Sequence, residues 1–403
     1  MTSEDLILAA GKAIIVNSNK IERIVESEVA IEEFGEPTTL LSRNNSNTTK
    51  VIDLEGRAVI PGLVDSHAHI VWSGDRSREV RWRQMGHTYS EIANFGGGII
   101  STVESTKNSS ELDLFKIGRS RLKVALRNGT THVETKSGYG LDSDSELKLL
   151  KVAHLLSQDE STPTIDSTWL GAHAIPKGYT LSTYTEELIS EQLPLVVESG
   201  LARSADVFCE PGWFGLEESE DILRASKNQG LELRMHIDEF ADGGGGDLAA
   251  ELKVSTADHA HYTNEDARLK LRDAGVNTGF LPGTPFSMGS DWPNFDLLTE
   301  MGAPWSIATD YNPNNQVLSI PFLASCLVQR CGVDPLVALV ASTVNPAATT
   351  PHPTGLKHGC IVPGSVANLN ILNSPHWESW CLTPGTTPFA ATMLEGKLIS
   401  HDL

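Results

Sequence analysis

Two histidines, His67 and His69, stand one residue apart at the end of a short apolar run. Side chains at positions i and i+2 of a strand point to the same face, so both imidazoles can reach one cation. His236, His259 and Asp310 also follow β-rich runs. An isolated His-x-His pair is more often structural, and a lone aspartate after a strand is a weaker sign still. Taken together, however, the set predicts a centre for a divalent metal ion.

Such a centre indicates hydrolytic chemistry. The two histidines of the first run, with His236 and Asp310, leave a coordination position for water. Water bound in this way has a pKa of about 7, so hydroxide is available at neutral pH. His259 is then expected beside that water, as a base or as an electrostatic partner of the tetrahedral oxyanion. His87, His132, His154, His352, His358, His376 and His401 are expected at the surface or in the core, and His261 is expected in packing or behind the ligands.

The elements that must position these residues form a regular series. Eight strand-like runs alternate with helix-like segments; the runs span residues 57–65, 131–135, 167–170, 205–208, 231–235, 255–258, 276–281 and 305–309. Helical spacing and acidic first turns predict helices over 144–156, 185–199 and 217–228. This alternation predicts parallel βαβ units, and eight of them predict an α/β fold, a closed (β/α)₈ TIM barrel. Its active site is expected at the carboxyl ends of the strands.

Both ends of the chain differ from this series. Strand-like runs at 6–15 and 51–54 precede it, and others at 367–372 and 391–399 follow it. Neither end has enough apolar residues for a core of its own. We therefore predict a small β-sandwich built from both termini, with its N-terminal part in 1–58 and its C-terminal part in 357–403. The metal-dependent hydrolase barrel would span 59–356.

Composition restricts the partners. The 403 residues carry a formal net charge of −21, which repels phosphate backbones and anionic lipid. We expect a small-molecule substrate, with no nucleic acid and no membrane as a partner. The five cysteines are odd in number and form no C-x-x-C pair, and no apolar stretch approaches the roughly 18 residues of a membrane span. Reduced thiols and an acidic N-terminus without a signal-like pattern predict a cytoplasmic protein.

Several loop motifs are more specific than the metal-binding pattern. They are GDRS at 74–77, GGGIIST at 96–102, KSGYGL at 136–141, GAH at 171–173, DVFCE at 206–210, HIDE at 236–239 and ADH at 257–259. In these motifs the chain resembles the imidazolonepropionase family of the amidohydrolase superfamily. The resemblance runs from about residue 61 to residue 315, and PGSVAN at 363–368 resembles the superfamily's return to the sandwich.

The resemblance implies metal-dependent hydrolysis of the cyclic amide 4-imidazolone-5-propanoate to N-formimidoyl-L-glutamate in histidine degradation. It implies one zinc or iron ion as cofactor and, as often in this superfamily, a homodimer. By motif, the implied metal ligands are His67, His69, His236 and Asp310. The implied substrate-binding residues are Arg76, Tyr139, His173, Glu239, Asn312 and Asn314.

These assignments have physical reasons. The guanidinium of Arg76 is a rigid fork of donors that matches the substrate carboxylate. Tyr139 and His173 can supply neutral hydrogen bonds. Glu239 is expected to donate a proton to the leaving nitrogen. His259 and Asp310 are both candidates for the base, and the sequence does not decide between them.

Two departures from the family pattern fall near the predicted site. Asn314 stands where many bacterial relatives have glycine, and the loop that follows the seventh predicted strand is altered. An alternative is therefore a related amidohydrolase that acts on another carboxylate-bearing imidazolone or hydantoin, or a deaminase that releases ammonia. Arg76 favours a carboxylate-bearing substrate over a bare nucleobase. A non-catalytic scaffold would be expected to lose metal ligands, yet all four are present.

Overall fold

The computed structural model describes residues 10–40, 50–87 and 89–401. The first four residues of the predicted run at 6–15 lie outside them. The strands, in chain order, are β1 (Lys12–Asn17), β2 (Lys20–Glu26), β3 (Thr38–Thr39), β4 (Ile52–Asp53), β5 (Val59–Pro61), β6 (Leu63–Ala68), β7 (Thr130–Lys136), β8 (Thr164–Ala172), β9 (Ser204–Cys209), β10 (Glu232–Ile237), β11 (Thr256–His259), β12 (Asn277–Phe280), β13 (Trp305–Ile307), β14 (Leu369–Leu372), β15 (Phe389–Leu394) and β16 (Lys397–Ser400).

The helices lie mainly between the strands of the barrel. They are α1 (Ser27–Phe34), α2 (Arg78–Gln84), α3 (Tyr89–Asn94), α4 (Gly98–Asn108), α5 (Glu111–Arg127), α6 (Ser143–Ser157), α7 (Leu181–Glu187), α8 (Leu193–Ser199), α9 (Leu216–Asn228), α10 (Gly245–Leu252), α11 (Glu265–Ala274), α12 (Gly283–Met288), α13 (Phe295–Glu300), α14 (Ile320–Cys331), α15 (Pro335–Val340) and α16 (Val344–Thr349). A π-helical turn, Leu188–Gln192, joins α7 to α8, and a 3₁₀ turn spans Trp377–Cys381.

Strands β6 to β13 form one parallel sheet in which sequence neighbours are spatial neighbours. The two ends of this sheet meet, because the amide of Asp310 donates to the carbonyl of His67 and the amide of His69 donates to the carbonyl of Tyr311, at 2.9 and 2.8 Å. Asp65 adds a second connection by accepting from the amide and hydroxyl of Thr309. The predicted (β/α)₈ barrel is confirmed, and each of the eight predicted runs overlaps a barrel strand.

The barrel strands are buried on both faces, as expected for a sheet covered by helices. A large cluster of apolar side chains fills the space between the sheet and the surrounding helices, and it includes Val133, Trp169, Val207 and Met235. Burial of this apolar surface is the main stabilising contribution to such a fold. The strand ends therefore have a rigid base from which polar side chains project.

Two local differences from the predicted elements have clear causes. The first predicted run is divided at Gly62, where a Cβ atom would lie 2.3 Å from Oγ1 of Thr131, so only glycine fits this close approach. The predicted helix at 185–199 is α7, a π turn and α8. Pro194 near the start of α8 has no N–H to donate to the preceding turn, so the regular ladder is interrupted there.

Both termini contribute to the β-structure beside the barrel. Strands β5, β14, β15 and β16 form an antiparallel sheet, and β1 pairs with β2. A bridge from Lys20 to Val366 and a cluster of Ile21, Ala367 and Leu369 join the N-terminal hairpin to the C-terminal part. This arrangement confirms the predicted sandwich built from both ends of the chain, while the domain boundaries at 58 and 356 remain predictions. In the described chain no helix combines the length and apolarity needed to span a bilayer.

Candidate metal centre

The five residues singled out in the sequence meet at the carboxyl ends of the barrel strands. His67 lies in β6 with His69 just beyond it, His236 lies in β10, His259 ends β11, and Asp310 follows β13 by three residues. All five are buried, with exposures from 0 to 5%. The parallel barrel therefore brings together side chains that lie up to 243 positions apart in the sequence.

The distances within this cluster suit a shared cation. Oδ1 of Asp310 lies 3.8 Å from Nε2 of His67 and 3.7 Å from Nε2 of His69. The rings of His67 and His236 have centroids 4.5 Å apart. Potential ligand atoms of His67, His236 and His259 also all lie within 4.8 Å of one another. These residues form two groups of close donors that share His67, and their nitrogen and oxygen atoms are of the types that bind a metal ion.

Unpaired nitrogens point to the same conclusion. Nε2 of His67 and Nε2 of His236 are buried, and neither has a hydrogen-bond partner among the described residues. A buried polar atom without a partner is costly, so it calls for an ion or a water molecule. These two atoms are the ones that metal coordination would satisfy.

Two aspartates fix how these rings are presented. Oδ2 of Asp258 lies 2.6 Å from Nδ1 of His67, and Oδ1 of Asp206 lies 3.0 Å from Nδ1 of His236. A carboxylate accepts the Nδ1 proton and leaves the Nε2 lone pair for a metal. Both aspartates lie in the loop motifs given above, but the sequence alone assigned them no role. The available signal was their position in β9 and β11, the two strands that flank β10 and its ligand His236.

Burial also sets the protonation of the histidines. It lowers the pKa of His67, His69 and His259 well below the ordinary value, and neighbouring positive groups lower it further. These imidazoles are therefore neutral at pH 7. A neutral imidazole can donate a lone pair to a cation or accept a proton.

Glu239 has the opposite character. Its Oε2 lies 3.5 Å from Nε2 of His259, in the loop that follows β10. Burial raises the pKa of Glu239 well above its usual range, and the charges of Asp310 and Glu210 raise it further. The raised pKa favours the protonated form of Glu239, and a protonated carboxyl beside a neutral imidazole forms an acid and base pair.

Backbone strain accompanies two of the predicted catalytic residues. His259 has a φ angle of 66° and Asp310 one of 46°, both in the left-handed region that non-glycine residues rarely adopt. Strained conformations of this kind concentrate at functional sites, where the surrounding structure holds them. Here the strain directs both side chains from strand ends toward the cluster.

Aromatic rings form one wall of the centre. The ring of His173 stacks on His69 with centroids 5.2 Å apart, and Tyr139 lies edge-on to His173 at 5.1 Å. Nδ1 of His173 lies 2.9 Å from the carbonyl oxygen of Gly138. Phe208, which the sequence analysis did not assign, contacts His173 and His236. Tyr139 and His173 therefore lie next to the metal cluster, as their predicted substrate contacts require.

The other predicted substrate-binding residues have partners within the protein. Arg76 donates from Nε and Nη2 to the two carboxylate oxygens of Glu79, at 2.7 and 2.8 Å. The side chain of Asn312 donates to the carbonyl of Asp310 and accepts from the amide of Asn314, so it shapes the loop after β13. Oδ1 of Asn314 accepts from Arg83 at 3.3 Å. Contacts of Arg76, Asn312 and Asn314 with substrate remain predictions.

Comparison with known proteins identifies relatives over most of the chain. Residues 50–95 match the model of the amidohydrolase family. The chain is 40% identical to imidazolonepropionase of Symbiobacterium thermophilum over 336 residues, 82% of this chain and 78% of that protein. It is 35% identical to imidazolonepropionase of Haloarcula marismortui over 402 residues, 98% of this chain and 94% of that protein.

Solved structures share the fold at lower identity. A 5-methylcytosine deaminase from Klebsiella pneumoniae superposes with a TM-score of 0.70 at 16% identity and covers 97% of this chain and 94% of its own. An adenosine deaminase from Xanthomonas campestris with bound zinc gives a TM-score of 0.69 at 15% identity and covers 98% and 90%. At these identities the likeness establishes the architecture alone.

Proposed function

The chain belongs to the imidazolonepropionase family of amidohydrolases, and on that premise we propose which of its residues bind the metal ion and carry out the reaction. The activity is hydrolysis of 4-imidazolone-5-propanoate to N-formimidoyl-L-glutamate in histidine degradation. The deaminase and related-substrate alternatives are not favoured, because relatives at 34 to 40% identity over most of both chains carry the imidazolonepropionase name. The deaminases resemble the chain in fold alone.

The divalent metal of this family is proposed to be zinc or iron. The proposed ligands are His67, His69, His236 and Asp310. One observation carries this assignment: three imidazoles and a carboxylate converge from β6, β10 and the segment after β13, and Nε2 of His67 and Nε2 of His236 are buried with no hydrogen-bond partner among the described residues. When bound, a divalent cation supplies Lewis-acid polarisation and makes a water ligand acidic at neutral pH.

Hydrolysis of a cyclic amide requires one proton to be removed and one to be supplied. The oxygen of water forms a bond to the ring carbonyl carbon, the ring C–N bond breaks, and the leaving nitrogen takes up a proton. A base must therefore accept a proton from water, and an acid must donate one to nitrogen. We propose one residue beside the centre for each of these roles.

His259 and Asp310 are the two candidates for the base. His259 is neutral because burial lowers its pKa, and it lies among the proposed ligands, so it can accept a proton at pH 7. Asp310 is closer to the two histidines of β6 but is itself a proposed ligand. We favour His259, since its lone pair is not needed by the proposed ligand set.

Glu239 is proposed as the proton donor. Its raised pKa favours the protonated form, and the 3.5 Å separation from His259 would let the pair exchange a proton between the two halves of the reaction. The amide N–H of Glu239 donates to Glu210, which fixes the loop that carries it. Burial raises the pKa of Glu210 to about 7, so a second protonatable carboxyl lies directly behind the donor.

Substrate binding is assigned to the wall beside the metal ligands. Tyr139 and His173, whose rings contact His69, are proposed to donate or accept neutral hydrogen bonds at the ring of the substrate. Arg76 is proposed to bind the propanoate, and Asn312 and Asn314 to border it. A pocket beside Glu239 and His259 is lined by the altered loop after β12, including Pro282 and Trp292. The homodimer, the cytoplasmic location and the lack of nucleic-acid binding stay predictions.

The test combines metal analysis with an assay of enzymatically generated imidazolone propanoate, followed by loss of ring absorbance. We expect one zinc or iron ion per chain and turnover in the wild-type protein. His236→Ala is expected to lose both, whereas His154→Ala, which changes an exposed histidine of α6, is expected to keep both. Metal-loaded protein without turnover of this substrate would overturn the assignment.

A further inference from the structure

A lysine is buried inside the barrel next to the metal cluster. Lys136 ends β7 and is 1% exposed. Its Nζ lies 3.0 Å from Oε1 of Glu134 and 2.7 Å from Oδ2 of Asp206. Removing an ammonium from water is costly, so a buried lysine persists only where carboxylates compensate its charge. The proposed reaction gives this residue no part.

The partner carboxylate of Lys136 is the one that orients a proposed metal ligand. Oδ2 of Asp206 faces Lys136, while Oδ1 lies 3.0 Å from Nδ1 of His236. The three side chains therefore form a continuous buried series from an ammonium to an imidazole. Each has an exposure of 2% or less.

The second orienting carboxylate is held differently. Asp258 lies 2.6 Å from Nδ1 of His67, and its other oxygen accepts from the hydroxyl of Thr256 at 2.5 Å. A hydroxyl is neutral and can rotate, whereas the ammonium of Lys136 is a fixed charge between two carboxylates. Of these two aspartates, Asp206 is therefore the one whose position depends on an ion pair.

We propose that Lys136 is a positioning residue that sets the metal affinity of the centre through Asp206. The ion pair holds Asp206 where it accepts the Nδ1 proton of His236, and this leaves Nε2 directed at the cation. Partners of this kind are worth about 10-fold to 100-fold in metal affinity. The inference rests on the proposed function, because it requires His236 to be a metal ligand.

A purely structural role would have a different signature. If Lys136 only neutralised buried charge, its removal would lower stability without a specific effect on metal binding. Glu134 offers the matched control, since it contacts the same ammonium but no proposed ligand, and Arg234 lies 3.8 Å from its Oε1. Glu134→Gln removes one buried charge and leaves the series through Asp206 intact.

The experiment measures the zinc dissociation constant of refilled apoprotein by competition with a chelator. Lys136→Met is expected to weaken zinc binding at least 10-fold, while Glu134→Gln stays within threefold of wild type. Asp206→Asn is expected to weaken binding by a similar factor as Lys136→Met. Adding Lys136→Met to Asp206→Asn should then change the constant less than threefold, because the series is already broken.

Three results separate the possible failures. Wild-type zinc affinity in Lys136→Met would overturn the inference while leaving the metal centre intact, and so would an equal loss in Glu134→Gln. Absence of zinc binding in the wild type would instead overturn the proposed function.

If Lys136→Met does not fold, ¹⁵N NMR of the histidines in wild-type apoprotein provides the test: we expect the Nδ1-H tautomer at His236, and the Nε2-H tautomer would overturn the inference.

Discussion

Glu239 lies 3.5 Å from His259, and burial keeps its pKa well above the ordinary range of a carboxyl group. Glu239→Gln keeps the shape of this side chain but cannot release a proton to nitrogen. Loss of a general acid slows turnover by about 100-fold to 10,000-fold, so we expect kcat to fall at least 100-fold with the metal content unchanged. Steady-state assays beside Glu251→Gln, an exposed carboxylate of α10, would check this; a kcat within threefold of wild type would exclude the donor role.

Arg76 tests recognition of the carboxylate. Its removal alone leaves the buried carboxylate of Glu79 without its cation and held by the amide of Gly98, so the informative variant is Arg76→Met combined with Glu79→Gln. A hydrogen bond to a charged group contributes roughly 1.5 to 3 kcal/mol, so we expect KM to rise at least 10-fold and kcat to change less. Glu79→Gln alone is the control, and an unchanged KM in the double variant would contradict the assignment.

The sequence predicted the residues that converge on the centre, because their place at strand ends can be recognised without coordinates. It did not predict the roles of Asp206, Asp258 and Lys136. Those roles depend on contacts inside the barrel, between neighbouring strands for Asp206 with His236 and between strands that are not adjacent for Asp258 with His67 and Lys136 with Asp206, which no local pattern reveals. The ion pair of Arg76 with Glu79 could have been predicted, because the two residues are three positions apart, but the sequence interpretation did not include it.

At the level of elements, Gly129 connects the barrel to the terminal sheet. It has a φ angle of 84°, and a Cβ atom there would lie 2.3 Å from the ring of Phe389 in β15. Gly129→Ala is therefore expected to lower the free energy of unfolding by roughly 1 to 3 kcal/mol through overpacking. The strain of the positive φ angle lowers it further. Gly230→Ala is the matched control, because its φ is 89° but no atom lies within 4 Å.

We expect urea unfolding to show both variants destabilised, with Gly129→Ala the more strongly affected. Equal free energies of unfolding for the two variants would mean that Phe389 of β15 does not pack tightly against Gly129.

The presence of the eight barrel strands could be predicted, because eight apolar runs are separated by helices. The residues at which the strands begin and end were harder to predict. The division of the first run at Gly62 depends on contact with Thr131, which no local pattern reveals. The π turn before α8 was open to prediction from Pro194. Both misses concern where an element breaks rather than which element forms.

On the scale of the whole molecule, three further histidines are buried near the opposite end of the barrel. His132, His352 and His358 have ring centroids 4.9 to 5.7 Å apart. Burial lowers the pKa of His352 to about 4, lowers that of His132 well below its ordinary value and lowers that of His358. The folded protein therefore excludes protons that the unfolded chain binds below pH 6.5.

Stability from this cluster is complete above pH 6.5 and is lost as the pH falls toward 4. We expect the free energy of unfolding of the apoprotein to fall over this interval, and to fall less steeply in His352→Gln, which cannot gain a charge. His154→Gln is the matched control because that histidine is exposed. Identical pH dependence in His352→Gln and wild type would show that the cluster does not contribute.

The metal centre itself is tested most directly by anomalous diffraction from crystals of the purified protein, collected at the zinc and iron absorption edges. The account predicts a single strong peak per chain, about 2.0 to 2.2 Å from nitrogen atoms of His67, His69 and His236 and from a carboxylate oxygen of Asp310. A peak bound by other residues, or fully folded and active protein with no peak at this position, would contradict it.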